Sequence, residues 1–221
     1  MSRIAFLVDG FNLYHALDHS TSTPNPKRYN KYKWLNLSKL ARAYITSQDT
    51  ITGVYYFTTL ATWDPAKVAK HKLFIRANEA EGVQVVYGEF KRKQKRCNLC
   101  HKLFWTVEEK QTDVNMALKL FQLAVQDVYD KAIIISGDTD LLPAVKAVQA
   151  TFPTKSIGVV LPIGRACGGL QEARRLSFQN ERAPTPGQPV PRHDCSERRG
   201  HTRLPSNVEV VSLQVLPDHL S

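Results

Sequence analysis

Short apolar runs separated by segments of helical patterning constrain the fold of this 221-residue chain more than any other feature. Residues 4–8 and 132–135 are unbroken apolar runs rich in β-branched side chains. Such runs are typical of strands buried on both faces, as in a parallel sheet. Similar runs lie at 54–57, 83–87 and 156–161. The alternation predicts an α/β domain with a five-stranded, mainly parallel sheet and right-handed crossovers.

Two of these strands lead directly into acidic turns. Residues 132–135 are followed by Ser136-Gly-Asp-Thr-Asp140, and residues 4–8 by Asp9-Gly-Phe-Asn12; a predicted helix follows each turn. Ligands of open α/β sheets bind outside the carboxyl ends of the strands, so these carboxylates are candidates for a site. Helix capping is the structural alternative for any one of the acidic residues.

The segment 107–129 has helical patterning and supplies a further carboxylate, Asp113, near its start. A helix runs antiparallel to the strand that follows it, so Asp113 is expected at the same sheet edge as the acidic turns. If strands 4–8 and 132–135 are neighbours, four carboxylates converge there: Asp9, Asp113, Asp138 and Asp140. Each close pair would repel by roughly 4 kcal/mol at an effective dielectric near 20. A bound Mg²⁺ or Mn²⁺ would relieve this repulsion and could activate a water for phosphodiester hydrolysis.

Basic residues complement this prediction. The formal net charge of +10 favours a polyanionic partner, nucleic acid first. The loop 20–33 interleaves basic residues with tyrosines, which suits single-stranded nucleic acid, although a solvated loop is an equal alternative. Five positive charges lie in the run 91–96, just after the third strand. The residues expected to contact RNA are Lys27, Arg28, Lys91, Arg92, Lys93, Lys95, Arg96 and Arg165.

Three motifs together resemble a known family. They are Asp9-Gly-Phe-Asn-Leu-Tyr, Glu108-Glu-Lys-Gln-Thr-Asp-Val-Asn-Met-Ala and Ser136-Gly-Asp-Thr-Asp-Leu-Leu-Pro-Ala-Val. In this order and spacing they resemble the NYN domain of the PIN-like ribonuclease superfamily, and more narrowly its bacterial LabA/DUF88-like branch. The resemblance covers about residues 3–178.

The resemblance implies a Rossmann-like three-layer sandwich and an RNA-cleaving site that uses Mg²⁺ or Mn²⁺. Its catalytic and metal-binding acids carry over to Asp9, Asp113, Asp138 and Asp140. The accessory residues would be Asn12, Glu109, Ser136 and Thr139. For Glu109 the structural alternative is an acidic residue favoured in the first turn of a helix.

The pair Cys97-x-x-Cys100 is half of a zinc site. The resemblance implies a small zinc-knuckle insertion here, within a basic segment at about 91–105. Two more ligands are needed, from His101, from the later cysteines and histidines or from a partner chain. A thioredoxin-type redox pair would instead follow a strand and begin a helix. Two ordinary loop thiols are the remaining alternative.

The domain organisation follows from a change in composition near residue 183. Residues 1–180 are expected to form the NYN/PIN-like domain, and the proline-rich segment 181–221 an extended or disordered tail. Only residues 208–213 of this tail have strand patterning. The chain has no apolar run long enough for a membrane span or a signal peptide, and few cysteines, which predicts a cytoplasmic location without membrane contact. The sequence leaves homo-oligomerisation open.

The functional hypothesis is a ribonuclease that hydrolyses RNA with a water activated at the Asp cluster, using Mg²⁺ or Mn²⁺. One rival is a non-catalytic RNA-binding or regulatory module of the same family. A less favoured rival is an aspartyl phosphotransferase with Asp9 as nucleophile. Such enzymes carry a second Asp two residues later, where this chain has Phe11.

Overall fold

The computed structural model describes residues 1–18, 33–162 and 208–212. The strands are β1 (Arg3–Asp9), β2 (Thr50–Thr58), β3 (Val83–Tyr87), β4 (Glu89–Arg96), β5 (Leu103–Lys110), β6 (Lys131–Ile135), β7 (Ser156–Leu161) and β8 (Val208–Ser212). The helices are α1 (Gly10–Asp18), α2 (Leu37–Arg42), α3 (Pro65–Ala80), α4 (Thr112–Val125) and α5 (Leu142–Thr151), with a 3₁₀ turn at Thr139–Leu141.

The main sheet has the strand order β3-β2-β1-β6-β7-β8, and all neighbours are parallel. The five predicted strands are confirmed, and β8 from the tail adds a sixth at the edge next to β7. In the central pair, Val8 of β1 lies opposite Ile135 of β6. Both acidic turns therefore leave adjacent strands at the same edge of the sheet.

Side chains of the strands alternate between two apolar layers. In β1, Ala5 and Leu7 join a cluster with residues of α4 and α5. Ile4, Phe6 and Val8 join the other cluster, with residues of α1, α2 and α3. Burial on both faces explains why the strands are unbroken apolar runs. The predicted three-layer α/β architecture is confirmed.

A β-hairpin replaces the start of the predicted 107–129 helix, so that part of the prediction was wrong. β4 and β5 pair antiparallel from Glu89–Lys110 to Arg96–Leu103. β5 contains Phe104-Trp-Thr-Val, residues that favour strands, and pairing with β4 outweighs the weak helical pattern there. Gln111, with φ of 75°, makes the turn into α4. Glu109 consequently lies on a strand and not in the first turn of a helix.

The helices α2 and α3 begin at side-chain caps. The Asn36 side chain accepts a hydrogen bond from the Lys39 N–H at 2.8 Å. Asp64 accepts one from the Lys67 N–H at 3.0 Å, ahead of a proline at the first helical position. These bonds satisfy backbone donors that a helix N-terminus leaves free.

Some predictions fall outside the described residues: most of the basic loop and the tail apart from β8. Among the helices that the structure does describe, none is long and apolar enough to cross a membrane.

A polar clamp fixes the amino end of β1 against the turn before β6. The Arg3 backbone N–H donates to Asp130 Oδ2 at 2.8 Å, and Arg3 Nη2 donates to Asp130 Oδ1 at 2.7 Å. The Arg3 guanidinium also donates to the carbonyl of Asp127 at 2.6 Å. These bonds to Arg3 hold the pKa of the Asp130 carboxyl at about 2. The clamp helps to set the register of β1 and β6, on which the site depends.

We expect Asp130→Asn to lower the free energy of unfolding, and the loss to depend on pH. The folded-state pKa is depressed below the ordinary value of 3.8, so the stabilisation is fully present above about pH 5. It disappears as the pH falls through 4 towards 2. The loss is modest, since solvent screens both partly exposed side chains. Urea unfolding from pH 2 to 7 measures it, with the exposed Glu79→Gln as control. The difference in the free energy of unfolding between wild type and Asp130→Asn should shrink below pH 4. A difference that does not shrink would contradict the role of the ionised carboxylate.

Candidate active site

The carboxylate of Asp9 is buried at the end of β1, with 4% of the residue exposed. Its Oδ1 accepts a hydrogen bond from the Asn12 N–H at 2.9 Å, and its Oδ2 accepts one from Ser136 Oγ at 2.8 Å. Burial raises the pKa of Asp9 from 3.8 to about 6. The two hydrogen bonds oppose the increase, while repulsion from Asp113 and Glu109 adds to it. The Asp9 carboxyl therefore changes protonation near pH 6.

Hydrogen bonds join the two acidic turns. Asn12 Oδ1 accepts from the Gly137 N–H at 3.1 Å, and Ser136 Oγ accepts from the Asp138 N–H at 3.0 Å. Ser136 thus bonds to both Asp9 and Asp138. These bonds fix the β1 turn against the β6 turn.

Asp138 also serves as a cap. Its Oδ1 accepts a hydrogen bond from the Asp140 N–H at 3.0 Å, at the start of the 3₁₀ turn. Capping therefore applies here to Asp138, which is half-buried, while Thr139 and Asp140 are exposed. One cap bond engages one carboxylate oxygen of Asp138 and does not account for the acidic residues around it.

Asp113 lies in the first turn of α4 and faces the same acidic group. Partial desolvation raises its pKa, and repulsion from Asp138, Glu109 and Asp140 raises it further. The structure therefore brings all four predicted acids and Glu109 into one electrostatic neighbourhood. Within residues 1–18 and 33–162, however, no three acidic, histidine or cysteine side chains are close enough together to hold one ion.

The chemistry of the donors fits a hard divalent cation. The acids offer carboxylate oxygens only, and their mutual repulsion is the penalty that a cation would remove. Asp113 and Asp140 are exposed, whereas Asp9 is buried.

Glu109 is held by two threonines that the sequence did not single out. Its Oε1 accepts hydrogen bonds from Thr59 Oγ1 at 3.0 Å and from Thr112 Oγ1 at 2.6 Å. Gly88 lies beneath this group: a Cβ there would be 2.5 Å from Thr112 Oγ1 and 2.8 Å from Thr59 Oγ1. The sequence signal for Thr59 was its position just after a buried strand at the site edge; Thr112 and Gly88 had no comparable signal.

The basic run of the hairpin divides into two groups. Glu108 accepts ion pairs from three lysines: Lys93 at 3.7 Å, Lys95 at 2.5 Å and Lys110 at 3.2 Å. Lys91 pairs with Glu89 at 3.8 Å. These lysines are thus partly neutralised by acidic neighbours.

The hairpin arginines are placed differently. The Arg92 guanidinium lies over the Trp105 ring, 5.6 Å from its centroid, and Arg96 Nε donates to the carbonyl of His101 at 3.0 Å. Of the other residues predicted to contact RNA, Lys27, Arg28 and Arg165 lie outside the described residues.

Cys97 and Cys100 form the turn at the tip of this hairpin. The Cys97 N–H donates to the Lys102 carbonyl and the His101 N–H to the Cys97 carbonyl, each at 2.9 Å. The backbone N–H groups of Cys100 and Leu99 lower the pKa of the Cys97 thiol. His101 adopts a left-handed conformation with φ of 55°. The turn favours a thiolate at Cys97, and no third metal ligand adjoins it among the side chains described here.

Comparison with known proteins identifies a matching family and two similar proteins. The family model described as the NYN domain matches residues 3–164, which is more than half of the chain. A curated relative, 6-hydroxy-3-succinoylpyridine 3-monooxygenase HspA from Pseudomonas putida, is 24% identical. That alignment covers 72% of this chain but 59% of the relative, so this chain spans less than two thirds of the relative's length. A solved structure of a protein of unknown function, VPA0982 from Vibrio parahaemolyticus, is 21% identical, with 72% of this chain and 81% of that chain covered and a TM-score of 0.47.

We expect Ser136→Ala to raise the pKa of Asp9 above its value of about 6, because the variant removes a hydrogen bond that favours the carboxylate. A pH titration of the Asp9 carboxyl carbon by NMR measures this shift. Ser38→Ala is the matched control, since Ser38 is also buried but donates to the Glu81 carbonyl. A midpoint that stays at the wild-type value in Ser136→Ala would show that Ser136 does not support the Asp9 carboxylate.

Proposed function

This chain belongs to the NYN domain family, and on that premise we propose that it is a ribonuclease that hydrolyses RNA phosphodiester bonds and depends on Mg²⁺ or Mn²⁺. NYN domains are PIN-like, and domains of this family are generally nucleases, which supports a nuclease-type enzyme. The metal, the RNA substrate and the roles of individual residues are the proposed part.

The observation that carries the proposal is the acidic group at the edge of β1 and β6. Asp9 is buried with a raised pKa, and Asp113 is subject to repulsion from Asp138 and Asp140. A phosphate backbone would be repelled by this group unless its charge were balanced. A divalent cation provides that balance. We therefore favour a metal-dependent reaction over a non-catalytic RNA-binding function.

Each acidic residue has a proposed role that follows from its place. Asp9 and Asp138 are held by hydrogen bonds from the turns and would supply fixed ligands. Asp113 and Asp140 are exposed and would complete the site. A bound ion would lower the pKa of a coordinated water and stabilise charge on the phosphate.

Accessory residues would maintain the geometry. Asn12 and Ser136 hold Asp9 and the β6 turn together. Glu109 is held by Thr59 and Thr112 and adds to the negative potential at Asp9 and Asp113. We propose Glu109 as a peripheral acid of the site.

Two other functions have to be tested against this one. A non-catalytic RNA-binding module would keep the basic residues and would not need the acids. The P. putida relative is named as a monooxygenase acting on 6-hydroxy-3-succinoylpyridine, and a related oxidation is a second candidate. The acidic group favours hydrolysis, because hydrolysis at a phosphodiester is the chemistry that clustered carboxylates with a hard cation support.

We expect the wild-type protein to cut single-stranded RNA when Mg²⁺ or Mn²⁺ is present, and not in a chelator. Asp138→Asn should lower the rate by at least about a hundredfold, because it removes a charged ligand at constant size. Asp49→Asn is the control, since Asp49 bonds to Thr46 ahead of β2, at the opposite edge of the sheet. Gel analysis of end-labelled RNA measures the rate. Absence of cleavage with every divalent metal would refute the ribonuclease proposal, and consumption of the pyridine substrate in a parallel assay would support the oxidative alternative.

We also propose that Cys97 and Cys100 supply two ligands of a structural Zn²⁺, since backbone N–H groups around Cys97 favour its thiolate. The remaining ligands would come from elsewhere in the chain or from a second copy. Purified wild type should contain zinc, and the double variant Cys97→Ser/Cys100→Ser should lose it, as measured by atomic absorption. One zinc per two chains would indicate a site shared between copies. Equal zinc contents in wild type and double variant would contradict the proposal.

A further inference from the structure

The register of the β4–β5 hairpin places its side chains on two faces of different character. Directly paired residues of an antiparallel ladder lie on the same face, and residues two apart along a strand do as well. We call one face the arginine face, with Phe90, Arg92, Arg96, Trp105 and Glu109. The opposite face, with Lys91, Lys93, Lys95, Phe104 and Glu108, is the lysine face.

Carboxylates of the lysine face neutralise part of its positive charge. Glu108 is only 21% exposed at its side chain and pairs with Lys93 and Lys95. Contacts with Lys95 and Lys110, and a smaller contribution from Lys93, hold the pKa of Glu108 at about 2. An incoming phosphate would have to compete with Glu108 for the lysines, so this face is a weaker site for a polyanion than its count of lysines indicates.

The arginine face combines free cationic charge with exposed rings. Among the residues described, Arg92 and Arg96 have no carboxylate within ion-pair distance. Trp105 is 63% exposed and lies under the Arg92 guanidinium. An exposed tryptophan beside an arginine can stack with an unpaired base while the guanidinium contacts the phosphate.

This face is continuous with the acidic site. Glu109 sits at its base, where it bonds to Thr59 and Thr112 and acts electrostatically on Asp9. Phe90, opposite Glu109, contacts the ring of Trp63 with centroids 4.7 Å apart. Trp63 is 54% exposed and follows β2 at the same edge of the sheet. From Glu109 to Trp105 the strand extends about 13 Å, at roughly 3.3 Å per residue.

We propose that the arginine face, together with Trp63, is the substrate track for single-stranded RNA and leads it to the acidic site, and that the lysine face is not. The inference rests on the proposed ribonuclease function and adds to it the stacking residues Trp63 and Trp105 and a division of the basic run. Single strands are favoured because a ring can stack only with a base that is not paired within a duplex.

Binding of a short, end-labelled, unstructured RNA in a chelator tests the track without turnover. Trp105→Ala should weaken binding by about tenfold, since stacking contributes strongly for each base, and Arg92→Gln by about fivefold. The matched controls lie on the lysine face: Phe104→Ala removes another exposed ring, and Lys93→Gln removes another charge. Each control should change binding by less than about twofold. All four side chains are exposed, and circular dichroism confirms that the variants fold.

The outcomes separate this inference from the ribonuclease proposal. If the arginine-face variants lose binding and the controls do not, while the wild type never cuts RNA, the track stands and the ribonuclease proposal fails. Three results would overturn the track. They are equal losses of RNA affinity for variants of the two faces, equal affinity of the wild type for the duplex form of the same RNA, and no binding of RNA by the wild type. The track would also be overturned if the wild type self-associates and Trp105→Ala abolishes this association but leaves RNA binding unchanged. That result would indicate a protein contact at Trp105.

Discussion

The parallel pairing of β1 with β6 is the interaction on which the rest of the site depends. It places Val8 opposite Ile135, so that the next residues, Asp9 and Ser136, meet and form a hydrogen bond across the two strands. Burying a carboxylate is unfavourable unless hydrogen bonds compensate. Here the compensating hydrogen bonds come from the turns at the ends of β1 and β6. The conformation of these turns therefore also determines where the acidic side chains lie. The clamp between Arg3 and Asp130 supports the same pair of strands from the opposite end.

Charge is segregated in this chain. The net charge is +10, yet the sheet edge concentrates carboxylates. Burial raises the pKa of Asp9 and of Asp113, and mutual repulsion of the carboxylates adds to the increase. The neighbouring hairpin carries the opposite sign, and Glu108 offsets part of it on one face only. A polyanion would be drawn to the hairpin and repelled by the acids until a cation balances them. On this account, binding and cleavage would depend on different residues and can be tested separately.

The sequence predicted the sheet well, because strands buried on both faces are unbroken apolar runs and the helices between them have clear caps such as Asn36 and Asp64. The hairpin was missed because β4 is almost entirely charged and exposed, so it has no apolar periodicity. The contacts of Glu109 in β5 join it to a residue just after β2 and to the start of α4, and no local pattern encodes such a contact. The two faces of the basic run became visible only through the register of the hairpin.

The decisive measurement is a crystal structure of the protein soaked in Mn²⁺, with the anomalous signal of the metal recorded. We predict a strong peak bound by Asp9 and Asp138 at the edge of β1 and β6, with Asp113 or Asp140 rotated inward to complete the coordination. The raised pKa of Asp9 predicts that the peak weakens in crystals kept well below pH 6. A fully soaked crystal at neutral pH with no Mn²⁺ at these carboxylates would contradict a metal-dependent site.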